Sequence, residues 1–200
     1  MSPRGAYAKG AVKREEILAV ALDVVAKNGC RKATSREIAE RVGLTQPGLM
    51  HYFGSREELY QEVLRARDDS DLAEYYAPNP RFEGFLAVIK HNTEVPGLVQ
   101  LYAEFAAEAS IAGHPAHEFF VHRYAWVRGL LATAIQRAQQ EGEMGPDLDG
   151  AEAADLIVAT SDGLQVEWLH DPTIDMTGRL ARVWELLRRS SWSDGALRRL

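Results

Sequence analysis

Cys30 is the only cysteine in the 200-residue chain, so an internal disulfide and a cysteine-built zinc site are both excluded. No apolar run reaches the roughly 20 residues that a membrane helix needs. The basic N-terminus is not followed by a signal-type apolar stretch, because Lys13, Arg14, Glu15 and Glu16 interrupt it. A cytoplasmic chain without membrane contact is therefore expected. Period-two alternation is nearly absent, which argues against sheets. There is no internal repeat and no low-complexity tract. Nucleophile motifs, phosphate-binding glycine loops and spaced acid pairs are missing too, so an enzyme finds no support. No cofactor is expected.

What is present is a strong division of charge. Net charge is −6, which by itself disfavours a polyanionic partner. Up to Arg56, however, ten Lys/Arg stand against five Asp/Glu, and from Glu57 onward thirteen stand against twenty-four. A basic head on an acidic body is the asymmetry expected when one end meets phosphates.

Helical periodicity runs along the whole chain. Residues 12–28 place Ile17, Leu18, Ala21, Leu22 and Val25 on one stripe, and Gly29 follows as a stop. Thr34 with Glu37 forms a capping box for a short helix that Gly43 ends, and Thr45 can cap a third helix over 46–53. Ser55 with Glu58 opens a longer helix over 55–75, and Pro78-Asn79-Pro80 then breaks the chain. Further helices are expected near 82–92, 96–112, 115–140, 151–170 and 176–191. The fold class is all-α, with about nine helices: an N-terminal three-helix domain containing a helix-turn-helix, followed by a helical bundle.

The densest signal lies in residues 34–53. Two short helices separated by Gly43-Leu44-Thr45 fit a helix-turn-helix. Ile38, Ala39, Val42, Leu44 and Leu49 are spaced to form the small core between them. That leaves Ser35, Arg36, Gln46, Pro47, His51 and Tyr52 for the outer surface. Helix N-termini with the Thr34, Ser35 and Thr45 hydroxyls suit phosphate oxygens, and Gln46 can offer a base edge both a donor and an acceptor. Gly48 carries no side chain to hold DNA away, and Arg56 can neutralise a further phosphate.

On these residues the segment 11–70 resembles the TetR-family DNA-binding domain. The resemblance is carried by Ile17-Leu18, Asn28-Gly29, Ala33-Thr34-Ser35, Glu37-Ile38-Ala39, Val42-Gly43-Leu44-Thr45, Gly48-Leu49, His51-Tyr52-Phe53 and Gly54-Ser55-Arg56-Glu57-Glu58-Leu59. It implies that Thr34, Arg36, Thr45, Gln46, Met50, His51 and Arg56 lie where members commonly touch DNA. One position departs from the pattern. Where Met50 stands, members commonly carry an aromatic, usually a tyrosine that bonds a phosphate, and the neighbours His51 and Tyr52 are left to supply that contact. Tyr52 could instead pack against the first helix.

For residues 71–200 the resemblance implies a ligand-binding and dimerising domain: a homodimer on a palindromic duplex operator, governed by a small-molecule effector. Ala154, Ile157, Ser161, Leu164 and Trp168 recur at the spacing of a helix-pair seam, with small Ala159 and Gly163 allowing close approach. Leu180, Val183, Trp184 and Leu187 make a second stripe; the alternative is that both stripes face the chain's own core. Residues 115–140 are apolar on more than one face, which predicts a central, buried helix. With Tyr102, Phe105 and Trp126 it could line an aromatic pocket in which Asn92, His122, Tyr124 and Gln165 orient the effector. Ordinary core packing would use the same residues equally well.

Two sharper ideas fare worse. His114, His117 and His122 do not share a helical face, so a metal site is not expected. Cys30 beside Arg31 and Lys32 could be a redox sensor, but it stands where the family often has a packed aromatic. A helical interaction scaffold without DNA binding is the rival to the regulator.

Overall fold

A computed structural model describes residues 3–28 and 35–189. Nine α-helices and no strand occur among these residues, so the all-α expectation holds. They are α1 (Pro3–Asn28), α2 (Ser35–Arg41), α3 (Gln46–Phe53), α4 (Arg56–Asp71), α5 (Phe82–Asn92), α6 (Pro96–Ala109), α7 (His117–Gln140), α8 (Gly150–His170) and α9 (Met176–Arg189). A π-helical segment, Leu72–Tyr76, continues α4. The first helix begins nine residues before the expected start at Val12, in keeping with the high helix propensity of the alanines ahead of it. Gly29, Cys30, Arg31, Lys32, Ala33 and Thr34 lie outside the described residues, as does the expected end of the last helix at Ser191.

The chain forms two compact units. The first comprises the described residues up to Ser70 together with Asn92–Phe120. Ile17, Ala21, Val24 and Val25 of α1 are wholly buried, and α1 packs on both α2 and α6. Leu59, Val63 and Leu64 complete this core from α4. A boundary at 70/71 assigns residues 92–120 to the second domain, but here they pack with the first. Phe105 of α6 meets Tyr60 of α4, and Asn92 accepts a hydrogen bond from Arg67. A contact between segments so far apart in sequence leaves no mark in local periodicity.

The second unit holds Asp71–His91 and the described residues from Val121 onward. Here α8 packs on α9, and the Phe82 ring lies flat on Trp184, with centroids 4.2 Å apart and planes at 4°. The Tyr76 hydroxyl donates to the Leu130 carbonyl at 3.1 Å. Asp149 caps α8 by accepting from the amides of Ala151 and Glu152. Helices α7 and α8 are tied by Tyr124 donating to Asp162 at 2.8 Å and by the Arg128–Asp155 ion pair.

Two expectations are corrected in this unit. No residue from Val121 to Leu130 is buried, and Val121 and Trp126 are exposed, so the middle of α7 is not a central buried helix. Its aromatic content predicted burial, yet none of the described helices buries that stretch. The seam assigned to dimerisation faces inward. Ala154, Ile157, Ser161, Leu164 and Trp168 are buried in their own protomer, as are Leu180, Trp184 and Leu187, and Val183 is half-buried. Leu156, Ala159, Gly163 and Val166 form the solvent-facing stripe of α8, with Leu186 exposed on α9.

Candidate nucleic-acid interface

Helix α2 ends because Gly43 takes φ = +70°, a conformation open to glycine at no steric cost. Its amide bonds to Glu40 O at 3.2 Å and the Leu44 amide to Ala39 O at 2.8 Å, the paired closure of a Schellman turn. Lys13 Nζ donates to Val42 O at 2.7 Å, satisfying another carbonyl at this helix end. The chain then extends at Thr45, whose Oγ1 accepts from the Gly48 amide at 3.2 Å and caps α3. Pro47 sits in the first turn, where its missing N–H costs nothing. Gly54, at φ = +67°, stops α3, and Ser55 Oγ accepts from the Glu58 amide at 3.0 Å to start α4.

This local chemistry sorts inside from outside. Ile38, Ala39, Val42, Leu49 and Phe53 are buried, and Leu44 is half-buried. Arg36, Thr45, Gln46, Pro47, His51 and Arg56 are exposed, while Ser35, Gly48, Met50 and Tyr52 are half-buried. The candidate contact residues that are described thus share the outer surface of the two helices and the start of α4; Thr34 lies outside the described residues. Next to Met50, the more exposed of the two neighbours is His51. Its ring meets Tyr52 edge-on at 6.1 Å. Gly48 also meets a local constraint. A Cβ there would stand 3.2 Å from Thr45 Oγ1, so glycine keeps the cap uncrowded.

Sequence reasoning missed the residues that hold this head in place. The Arg14 guanidinium lies 4.7 Å above the Phe53 ring and pairs with Glu62 at 2.9 Å, fixing α1 against α3 and α4. Arg41 reaches Asp23 of α1 at 2.9 Å. Lys27 and Arg41 together hold the Asp23 carboxyl below the usual carboxylate range, the Lys27 hydrogen bond contributing most. Amphipathic spacing identifies only the buried stripe of α1 and leaves its charged partners unnamed.

The seven residues named for an effector pocket are spread over both units. Asn92, Tyr102 and Phe105 belong to the first, where Tyr102 and Phe105 are buried against Phe120. His122, Tyr124, Trp126 and Gln165 belong to the second. There His122 and Trp126 are exposed, and Gln165 is buried with its amide directed at Ser161 O, 3.4 Å away. Of the three histidines, His114 Nδ1 accepts from the Ala116 amide and His117 Nδ1 meets Ala109 O at 2.9 Å.

Comparison with known proteins gives this geometry a context. The family model for bacterial regulatory proteins, tetR family, matches residues 17–63. The HTH-type transcriptional repressor KstR2 of Mycobacterium tuberculosis is 30% identical over 149 residues, covering 68% of this chain and 72% of the relative. Among solved structures, a transcriptional regulator from Rhodococcus sp. Rha1 is similar in fold, with a TM-score of 0.64 at 22% identity over 87% of this chain and 95% of that one. The fatty acid degradation regulator FadR from Bacillus halodurans superposes with a TM-score of 0.63 at 19% identity, over 88% and 98% of the two chains.

Proposed function

The chain belongs to the tetR family of bacterial regulatory proteins, and on that footing we propose that it is a ligand-responsive repressor binding a palindromic operator as a homodimer. The observation that carries the reading is the two-sided character of α2 and α3. Ile38, Ala39, Leu49 and Phe53 are buried beneath, while Arg36, Gln46, Pro47 and His51 stand outward beside the capped start of α3. Such a helix N-terminus enters a major groove with its first residues on base edges. Gln46 reads sequence; Arg36, Thr45, His51 and Arg56 hold the backbone, with Ser35, Gly48, Met50 and Tyr52 at the margin.

Two heads bound about 34–36 Å apart require a dimer. The exposed stripe of α8, with Leu186 of α9, supplies the second-copy surface. Small Ala159 and Gly163 sit at its centre, where two helices can approach closely. The working division is a DNA-reading domain over 11–70 and an effector and dimer domain over 71–200. Helix α4 and its π-helical continuation carry the chain from one unit to the other, so an effector that binds the two states unequally has a continuous helix through which to bias the head. No described helix is long and apolar enough to cross a membrane, and a repressor acts where its DNA is, in the cytoplasm.

An electrophoretic shift on the intergenic DNA upstream of the coding sequence tests the reading. A specific band that weakens as salt rises is expected; salt-insensitive association with a protein partner and no footprint would favour a scaffold instead. Gln46→Ala should cost about 1–3 kcal/mol on the operator and relax discrimination at one position per half-site. Arg56→Ala should weaken every DNA sequence alike and reduce the salt slope by about 0.9 for each phosphate no longer neutralised.

A further inference from the structure

Helices α8 and α9 carry opposite charge. Helix α8 holds four acidic residues, Glu152, Asp155, Asp162 and Glu167, and no lysine or arginine. Helix α9 holds four arginines, Arg179, Arg182, Arg188 and Arg189, against the single carboxylate of Glu185. Within one chain most of these charges are engaged. Arg179 pairs with Glu167 at 3.1 Å, Arg188 and Arg189 pair with Glu185, Tyr124 donates to Asp162, and Asp155 pairs with Arg128. Two side chains are left over. Arg182 and Glu152 are exposed, and neither side chain makes a hydrogen bond or ion pair among the described residues.

Both lie on rows that already face solvent. On α9, Arg179, Arg182, Leu186 and Arg189 recur at 3-4-3 spacing and are exposed, so arginines flank one apolar residue. On α8, Glu152, Leu156, Ala159, Gly163 and Val166 recur at 4-3-4-3 spacing, with Asp155 beside the start of the row and Glu167 beside its end. An apolar middle with charged flanks, negative on one helix and positive on the other, suits a surface that closes on a copy of itself. The register follows from the Arg179–Glu167 pair, which sets the relative level of these two packed, antiparallel helices. Arg182, three residues on, is then level with Leu164 of its own chain. A two-fold axis between Ala159 and Gly163 carries it level with Val158 of a second copy, about 4.5 Å along the helix from Asp155 and a further turn from Glu152.

We infer that the arginine row of α9 seats on the acidic start of α8 in a second copy, with Arg182 pairing there with Asp155 and Glu152. Charge thus joins the small-residue stripe in setting the register and in selecting a second copy of this chain over other helical partners. This rests on the homodimer reading above and deepens it.

Two charge-reversed full-length variants test it by sedimentation velocity, one carrying Arg182→Glu and the other Glu152→Arg with Asp155→Arg. Each alone should dimerise about tenfold more weakly or worse, since both contacts of its homodimer set like charges together. Mixed in equal amounts they should regain a dimer near wild-type strength, because both contacts of the mixed pair join opposite charges. A folding defect in either chain would not be repaired by mixing. Arg182→Gln supplies a second measurement, since it removes no contact within its own chain. It should loosen the dimer about two- to tenfold at low salt and flatten its salt dependence. Should a reversed variant fail to fold by circular dichroism, that salt series decides. Variants that dimerise like wild type, or folded reversed variants that stay apart on mixing, would overturn the inference. Gly163→Glu still breaking the dimer would then leave the homodimer reading intact. A wild type that is monomeric would remove both.

Discussion

Gly163→Glu should leave each protomer folded and reduce operator affinity by about 10²–10⁴-fold. A Cβ at Gly163 meets nothing within 4 Å in its own chain, so the new side chain has space. In an exposed helix interior, glutamate also replaces the weakest helix former short of proline, a gain of roughly half a kcal/mol. The damage falls on the proposed two-fold surface. There the substitution sets two like charges into the stripe of Leu156, Ala159 and Val166, where burial would strip them of water. A monomer reads one half-site, and the avidity of the linked second head, about 10²–10⁴, is lost. Sedimentation velocity, circular dichroism and operator titration check the three parts, with Gly163→Ala as the control that stays small and neutral. A variant that still sediments as a dimer and binds within about threefold of wild type would rule out this face.

A second glycine within a helix behaves in the opposite way. Gly84 is the third residue of α5 and is buried; a Cβ there would stand 2.2 Å from the Asn79 carbonyl oxygen and 3.2 Å from Tyr76 Cα. Both obstacles are backbone, held by the Asn79 amide bonding to Tyr76 O and the Arg81 amide to Asn79 O. Neither can rotate away as a side chain would. Propensity alone predicts that Gly84→Ala stabilises α5 by about 1 kcal/mol. The overlap should reverse that, since forcing helix and turn apart typically costs about 1–3 kcal/mol and sometimes more. A net loss of about 1–2 kcal/mol would lower the melting temperature by a few degrees, at about 2–4 °C per kcal/mol for a chain of this size. An unchanged or raised melting temperature would show that the turn yields. The turn adjoins the π-helical end of α4, so the same variant should also weaken the response to effector more than it weakens basal operator binding.

These two residues mark where sequence reading stops. Both are glycines inside helical patterns, and nothing in their immediate neighbours tells them apart. The reading head was legible because its determinants are local. Gly43 turns the chain with bonds to Ala39 and Glu40, Thr45 caps through Gly48 three residues on, and Ile38, Ala39 and Leu49 follow helical spacing over a dozen positions. Backbone conformation and capping are decided within one or two turns, so the string of residues carries them. Even there, Arg14 over Phe53 and Arg56 over Tyr60 went unnoticed: the first joins distant helices, and the second needs a ring fixed by Phe105 of α6.

In the body, periodicity on α8 contained two apolar stripes offset from one another, and spacing could not say which faced inward. The structure decided it, burying Ala154, Ile157, Ser161, Leu164 and Trp168 and leaving Leu156, Ala159, Gly163 and Val166 to solvent. It likewise placed residues 92–120 with the head and left the middle of α7 uncovered. By itself the sequence determined that this protein is helical, where most of its helices begin and end, and which short segment forms the capped helix-turn-helix. Which faces of the long helices lie inside was a tertiary decision, because it depends on the neighbours each helix meets, and those are supplied by residues tens of positions away.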